Sequence, residues 1–340
     1  MFWSNSAGPS ALQFWNPFEK GDRILRVEPA KKPAPWKGIE QPALCNSSHA
    51  TEVARFLSTH YRGSDWTLDC TPEWILRCMN GGALVLSVRD TYSNELLGTI
   101  FSRPLGGHLV GVGSKSLQDV RVIEGLCVRS DRRGLHLAGW LIAWADYYTS
   151  QHKPTIHLWF REVDRPPSFG STHIQSEQYV YIKTNLVVLD TVLMLEVEYD
   201  AWSSAWLSQG STLGCAYSDG IYDQEDLVCF STPEAVPCNI YSMVVLLDTH
   251  RRSLKGEKIW EVLWCPSTNA YKRLNGVAFQ LQQSGRGGIL FATDAKERGG
   301  AKGGWPSPWV SGRAGIHLTY FYNYLPPTRS VNLVALRGCI

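Results

Sequence analysis

The sequence predicts an α+β fold in which mixed central sheets are flanked by helices. Runs of β-branched and aromatic residues, typical of strands, occur at 83–88, 96–101, 120–128, 155–160, 239–247, 258–264, 287–292 and 315–325. The first two runs are separated by a polar turn, which indicates a hairpin. The third is followed at once by apolar residues at helical spacing from Leu137 to Tyr148. These three observations favour a chain that mixes strands and helices in each half.

Composition limits the class of protein. The chain has 340 residues, of which 44% are hydrophobic and 19% are charged, so it can bury a sizeable core in two domains or one fused pair. A formal net charge of +2 gives no broad field for a polyanion, and nucleic acid is therefore not the expected partner.

Cysteine and histidine usage narrows the class further. The nine cysteines are odd in number and contain no C-x-x-C pair, which fits free thiols in a reducing compartment. The nine histidines occur singly, so no dedicated metal site is expected. No apolar run approaches the roughly 20 residues that span a bilayer, and no signal peptide is recognisable. We therefore expect a cytoplasmic protein without a transmembrane segment.

The stretch 120–150 has the order strand, basic loop, helix. A lone glycine, Gly125, interrupts the strand, which predicts a bulge or a close backbone approach. Ser130 or Asp131 is the expected cap of the helix. The loop then places cations and backbone amides together, as a phosphate-binding helix N-terminus does, at Arg129, Arg132, Arg133 and Gly134. On this pattern alone, a solvated helix cap is an equal alternative.

The complete order resembles the coenzyme A pyrophosphate loop of the GNAT acyltransferase superfamily. More narrowly, Gly125-Leu126-Cys127-Val128, followed by Arg133, Ala138 and Leu141-Ile142, resembles the acyl-CoA loop of protein N-myristoyltransferases. The resemblance implies two fused GNAT-like halves, with acyl-CoA, and myristoyl-CoA in particular, as co-substrate. It implies acyl-CoA contacts at Cys127, Val128, Arg132, Arg133, Gly134, Leu135, His136, Leu137 and Ala138.

The resemblance also implies a division of the chain. Residues 1–42 would form an arm over the acyl-CoA site, 43–190 the acyl-CoA-binding half, and 191–340 the half on the peptide side. The arm contains the aromatic cluster Gln13, Phe14 and Trp15. Without the resemblance, these rings are simple anchors of an extended arm. With it, all three residues become ligand contacts.

Several further segments resemble the peptide side of the family. A predicted helix at 47–60 leads to a loop that is shorter than the family's acidic loop and keeps one carboxylate, Asp65, so a preference for basic peptides is not implied. Thr71 is the expected cap of the next helix, with Pro72 at its first position. The resemblance implies substrate contacts at Tyr61, Trp66, Tyr181, Ser267 and Gly315. Tyr181 stands where the family has a histidine.

Three features of the second half remain open. The family has a long helix ahead of the strand at 287–292, but no room for one is expected between 280 and 288. The glycine-rich segment 299–312 is expected to be a surface loop, with a functional lid as the alternative. The chain ends at Ile340, whose α-carboxylate would by resemblance be the catalytic base, unless the terminus overshoots the site or is simply frayed.

The resemblance predicts transfer of a fatty acyl group from acyl-CoA to the N-terminal glycine of a protein or peptide. Backbone amides at Gly125 and Leu126 would polarise the thioester carbonyl, and Ile340 would accept the amine proton. One alternative is a catalytically inactive binding or structural protein of the same fold, which Tyr181 and the shortened loop favour. The other is a GNAT N-acyltransferase that uses a shorter acyl-CoA.

Overall fold

The structure is a computed structural model. It describes residues 23–24, 29–63, 65–104, 109–110, 116–117, 120–151, 155–163, 172–186, 190–209, 224–234, 239–265, 270–294, 310–311, 316–322 and 324–325. The chain forms two compact units. The first comprises 1–161, 167–174 and 319–331, and the second comprises 162–166, 175–318 and 332–340.

Helices and strands alternate irregularly along the described chain. The helices are α1 (Ala50–His60), α2 (Pro72–Asn80), α3 (Leu137–Thr149), α4 (Tyr199–Gln209) and α5 (Ala270–Gln283). The strands are β1 (Arg23–Ile24), β2 (Ala43–Leu44), β3 (Trp66–Leu68), β4 (Leu84–Arg89), β5 (Leu96–Pro104), β6 (Leu109–Val110), β7 (Ser116–Leu117), β8 (Val120–Val128), β9 (Ile156–Val163), β10 (Thr172–Lys183), β11 (Leu195–Val197), β12 (Leu227–Ser231), β13 (Met243–Ser253), β14 (Lys258–Trp264), β15 (Gly288–Asp294), β16 (Val310–Ser311), β17 (Ile316–Tyr322) and β18 (Tyr324–Leu325). The α+β prediction is confirmed.

The sheet of the first unit has the strand order β2-β4-β5-β8-β9. β4 and β5 form the predicted antiparallel hairpin, β8 is antiparallel to β5, and β9 is parallel to β8. Side chains alternate between the two faces of a strand, and in β4 and β5 both faces are buried. Val85 and Phe101 face the core shared with α1 and α2, whereas Leu86 and Ile100 pack with α3. The central strands are therefore held between helices on both sides.

The first two helices agree with their sequence signals. The Thr71 side chain accepts a hydrogen bond from the Trp74 amide at 3.2 Å, as expected for the cap of α2. The predicted helix at 47–60 is confirmed from Ala50 onward. The three residues before it form a 3₁₀ turn that Asn46 caps by accepting a hydrogen bond from the Ser48 amide.

The second unit is built on the strand order β11-β12-β13-β14-β15-β10. β13 and β14 are the antiparallel pair expected at 239–247 and 258–264. β14 and β15 are parallel, and α5 connects them, as a parallel pair requires. The expectation that no helix precedes β15 was wrong. Buried residues at helical spacing define this helix, at Leu274, Val277, Ala278 and Leu281.

Helix length bears on the membrane prediction. Within the part of the chain that the structure describes, no helix combines the length and the apolar character needed to cross a membrane.

Candidate functional site

A bulge in β8 is the first element of the site. Thr99 of β5 lies opposite Cys127, and Phe101 lies opposite Glu124, so that two residues of β8, Gly125 and Leu126, oppose one residue of β5. Gly125 has φ of 54°, the left-handed conformation of the first residue in a G1 bulge. The bulge predicted from the lone glycine is confirmed, and it leaves backbone groups at this point outside the regular ladder.

Gly125 is required at its position for two physical reasons. Its positive φ favours a residue without a Cβ. A Cβ added there would also lie 3.0 Å from the ring of Phe101, which is fully buried. Phe101 in turn packs against Trp74, with ring centroids 6.0 Å apart. The apolar wall beside the bulge therefore comes from the neighbouring strand and helix.

Two polar contacts fix the bulge, and neither was predicted from the sequence. The Thr99 hydroxyl, fully buried, donates a hydrogen bond of 3.0 Å to the Gly125 carbonyl. Arg103 donates to the carboxylate of Glu124 at 2.8 Å, on the residue just before the glycine. A hydroxyl residue between Gly98 and Ile100 in the first, apolar part of β5 was the available signal for Thr99. The sequence did not indicate that Thr99 would bond to Gly125, because that contact depends on the pairing of β5 with β8.

The pairing of β8 with β9 ends near the bulge. Their parallel pairing runs from Val120 and Ile156 to Ile123 and Trp159. Both strands continue beyond that point, β8 to Val128 and β9 to Val163. The parallel pairing of β8 with β9 therefore ends two residues before Gly125.

The start of α3 is the second element of the site, and it differs from the prediction. Ser130 and Asp131 do not cap the helix, because 130–132 form a 3₁₀ turn and α3 begins at Leu137. His136 occupies the cap position with φ of 59° and makes no side-chain cap hydrogen bond. Gly134 also has a positive φ, of 84°. Left-handed residues in such a turn direct successive amides toward a common point.

These amides form a row of free donors. Among the described residues, the N–H groups from Gly134 to Gly139 have no hydrogen-bond acceptor, whereas the Trp140 amide already bonds to the His136 carbonyl. We call this segment, 134–139, the amide row. Free N–H groups at a helix N-terminus, together with the positive end of the helix dipole, suit an anion such as a pyrophosphate.

The arginines of the loop are engaged with protein partners. Arg129 binds Asp131, and it also binds Glu95 at 2.7 Å. Arg132 pairs with Asp90 at 3.4 Å and with Asp131 at 3.7 Å. The hydrogen bond from Arg129 holds the pKa of Asp131 below its usual value, so that this carboxylate stays charged at neutral pH. The assignment of Arg132 and Arg133 to an anion remains a prediction.

A segment of the arm lies along α3. We call residues 29–42 the strap. Three hydrogen bonds attach it, from Trp140 Nε1 to the Ala34 carbonyl (2.9 Å), from the Tyr148 hydroxyl to the Pro42 carbonyl (3.1 Å) and from the Ala30 amide to the Ser150 hydroxyl (3.1 Å). The ring of Trp36 packs edge-on against Trp140 at 5.7 Å. The strap thus attaches the last part of the arm to α3, the helix that follows the amide row.

The turn after α1 brings two predicted substrate residues together. The rings of Tyr61 and Trp66 lie 5.6 Å apart. The Gly63 amide donates to the Trp66 carbonyl at 3.0 Å, and a Cβ on Gly63 would lie 2.4 Å from the indole nitrogen of Trp66. The glycine is required because the tryptophan ring covers it directly.

Solved structures match this arrangement over almost the whole chain. A structure of N-myristoyltransferase from Saccharomyces cerevisiae with bound myristoyl-CoA is 12% identical, covers 100% of this chain and 92% of that chain, and has a TM-score of 0.66. A second structure of the yeast protein, with myristoyl-CoA and inhibitors, is also 12% identical, with coverages of 96% and 90% and a TM-score of 0.67. The chain has the N-myristoyltransferase fold. No protein-family model and no curated protein matches the sequence.

The N-myristoyltransferase fold predicted by resemblance is therefore confirmed, and the assignment of the site residues stays a prediction. Tyr181 lies in β10 of the second unit, opposite Phe291 of β15, with ring centroids 5.7 Å apart. Outside the described residues lie Gln13, Phe14, Trp15, Ser267, Gly315 and Ile340. Leu126 and Val128 lie in β8, and Leu135 and Ala138 lie in the amide row.

No group of three or more His, Cys, Asp or Glu side chains in the described ranges is placed to hold a metal ion.

Cys127 is the cysteine of the bulged strand β8. It is 3% exposed, and burial raises its pKa to about 12. The thiolate is the nucleophilic form of cysteine, so this side chain is not nucleophilic at neutral pH.

The Cys127 thiol should make stability fall above pH 9. Its ordinary pKa is 9.0, so the unfolded chain loses the thiol proton there while the folded chain keeps it until about pH 12. Between pH 8 and pH 10, this group should lower the free energy of unfolding by about 1.4 kcal/mol. Urea unfolding of the native protein and of Cys127→Ala at both pH values measures the difference. An equal fall in both proteins would contradict the assignment.

Proposed function

We propose that this protein is an N-acyltransferase that transfers a fatty acyl group, myristoyl in particular, from acyl-CoA to the N-terminal glycine of a protein or peptide. The amide row carries this proposal, because its free N–H donors, which suit an anion, follow the bulged strand after one short loop. The fold shared with structures that hold myristoyl-CoA supports it.

The first unit would bind the co-substrate. We assign the pyrophosphate to the amides of Gly134 to Ala138, in the loop that also contains Arg132 and Arg133, because free N–H donors and a helix dipole stabilise a phosphate. Cys127 and Val128 would line the chain of the ligand as the last residues of β8. The arm residues Gln13, Phe14 and Trp15 would cover the acyl-CoA.

The chemical step requires a neutral amine, a polarised carbonyl and a leaving thiolate. The glycine nitrogen attacks the thioester carbon, the carbon–sulfur bond breaks, and coenzyme A leaves with the bonding electrons. Amides at Gly125 and Leu126 would stabilise the negative charge on the carbonyl oxygen. The amine proton would pass to the α-carboxylate of Ile340. Tyr61, Trp66, Tyr181, Ser267 and Gly315 would contact the peptide.

Two measurements test the proposal. Isothermal titration with acetyl-CoA and myristoyl-CoA determines the acyl chain that is bound. Release of free coenzyme A with a peptide that begins in glycine then measures turnover, and the same peptide with an acetylated N-terminus is the control. Absence of binding of either acyl-CoA would contradict the proposal.

A second candidate is a binding protein of the same fold without turnover. Tyr181 favours it, because a phenol cannot take up a proton near neutral pH as an imidazole does. Myristoyl-CoA binding without release of coenzyme A would support this candidate. Acetyl-CoA turnover that exceeds myristoyl-CoA turnover would instead support a GNAT enzyme with a short acyl donor.

The terminal carboxylate has its own test. A glycine α-amine has a pKa near 8 and is mostly protonated at neutral pH, so transfer needs a base. A short tag appended after Ile340 should stop transfer and leave myristoyl-CoA binding intact. The same tag placed before Met1 is the control. Transfer at the native rate by the C-terminally tagged protein would show that the base lies elsewhere.

A further inference from the structure

Arg133 joins the three elements that surround the proposed anion site. Its Nη2 donates to the carbonyl of His60, the last residue of α1, at 2.9 Å. Its Nε donates to the carbonyl of Val128, the last residue of β8, at 3.2 Å. The residue itself directly precedes the amide row. One planar guanidinium thus connects the end of a helix, the end of the bulged strand and the loop.

The charges of the loop itself are balanced by carboxylates. The loop contributes three cations, on Arg129, Arg132 and Arg133, and Arg62 is a further cation outside the loop that also lowers the pKa of His60. Three carboxylates, on Asp90, Glu95 and Asp131, contact the first two of these arginines. Burial, with a further contribution from Arg129 and Arg133, lowers the pKa of His60, so this imidazole adds no charge at neutral pH. An anion at the amide row therefore meets a locally neutral loop.

The amide row also needs an external constraint. Gly134 has a positive φ, and a Cβ at its position would meet no atom of the described residues within 4 Å. Glycine is the most flexible residue, and the row begins on it. The two hydrogen bonds of Arg133 act on the residue immediately before that flexible point.

We propose that Arg133 is a positioning residue, which holds the amide row in place relative to the bulge at Gly125 and does not contact the pyrophosphate through its charge. This inference rests on the proposed acyl-CoA site. Its mechanism is geometric, because a guanidinium presents several N–H donors in a fixed plane and bonds two separate carbonyls at once.

Replacing Arg133 by lysine and by glutamine distinguishes the role of its hydrogen bonds from the role of its charge. Arg133→Lys keeps the charge but has one ammonium group, which does not reproduce the planar two-carbonyl contact. Arg133→Gln removes the charge. If Arg133 positions the row, both variants raise the Kd for myristoyl-CoA about tenfold or more and raise KM for acyl-CoA, and the dependence of Kd on salt stays as in the native protein. Near-native affinity in Arg133→Lys, with a loss of affinity and a weaker salt dependence in Arg133→Gln, would overturn the inference.

A measurement without ligand completes the test. Hydrogen exchange of the free protein should be about fivefold faster at 129–139 in both variants, because the loop loses its attachment to α1 and β8. Arg62→Gln, which removes a neighbouring cation outside the loop, is the control and should exchange as the native protein does. Unchanged exchange in the Arg133 variants overturns the inference even if acyl-CoA binds. Faster exchange in a protein that binds no acyl-CoA supports the inference and contradicts the proposed function.

Discussion

Gly125→Phe is expected to lower the free energy of unfolding by about 3 kcal/mol and to abolish acyl-CoA binding. Here the backbone has a positive φ, and the ring of Phe101 already occupies the space that a side chain would enter. Urea unfolding gives the stability, and titration with myristoyl-CoA gives the affinity.

A compensating pair separates backbone strain from steric conflict. Gly125→Ala should cost less than the phenylalanine, and its cost should be smaller in a Phe101→Ala background, because alanine lacks the Cγ and Cδ1 atoms that lie nearest the new Cβ. Additive costs in the double variant would show that the backbone conformation, and not the contact with Phe101, makes glycine necessary.

Deleting residues 1–15 is expected to abolish myristoyl-CoA binding while the unfolding temperature without ligand stays nearly unchanged. The strap remains attached to α3 in this variant, so the core loses no described contact. Deleting residues 1–42 should in contrast lower stability by about 3 kcal/mol, because it removes the strap that lies along the helix of Trp140 and the fully buried Trp144.

Differential scanning calorimetry and titration distinguish the two deletions. A point substitution, Trp36→Ala, gives the matched control, since it removes the ring packed on Trp140 and keeps the arm. Unfolding of the shorter deletion would support the simpler role of the aromatic cluster as an anchor. Native affinity after that deletion would remove Phe14 and Trp15 from the proposed site.

The sequence predicted the features that depend on neighbouring residues. The bulge followed from one glycine in a β-branched strand, and the start of α2 followed from Thr71 and Pro72. The start of α3 could not be predicted in the same way. Ser130 and Asp131 are good capping residues, but the chain forms a short 3₁₀ turn there and then adopts a left-handed conformation at His136. Propensity alone does not indicate that conformation for histidine.

Long-range contacts account for most of what the sequence did not predict. The arginines of the loop bond to residues 34, 42 and 73 positions away, at Glu95, Asp90 and His60. A local pattern therefore shows three cations but not their partners. The helix α5 was missed for a related reason. It contains Gly276, which propensity disfavours, yet a Cβ there would lie 2.0 Å from the Val192 carbonyl, so close packing requires the glycine.

The strap has a consequence for the order of folding. Its hydrogen bonds to α3 and to Ser150 close loops of 106 and 120 residues, and such distant contacts form only after the intervening chain has been made and has folded. The strap is synthesised before its docking surface, so it must wait for the completed helix. We expect it to dock late and to detach first when the protein opens locally. Detachment of the strap would release the whole arm from α3 while the rest of the first unit is still folded.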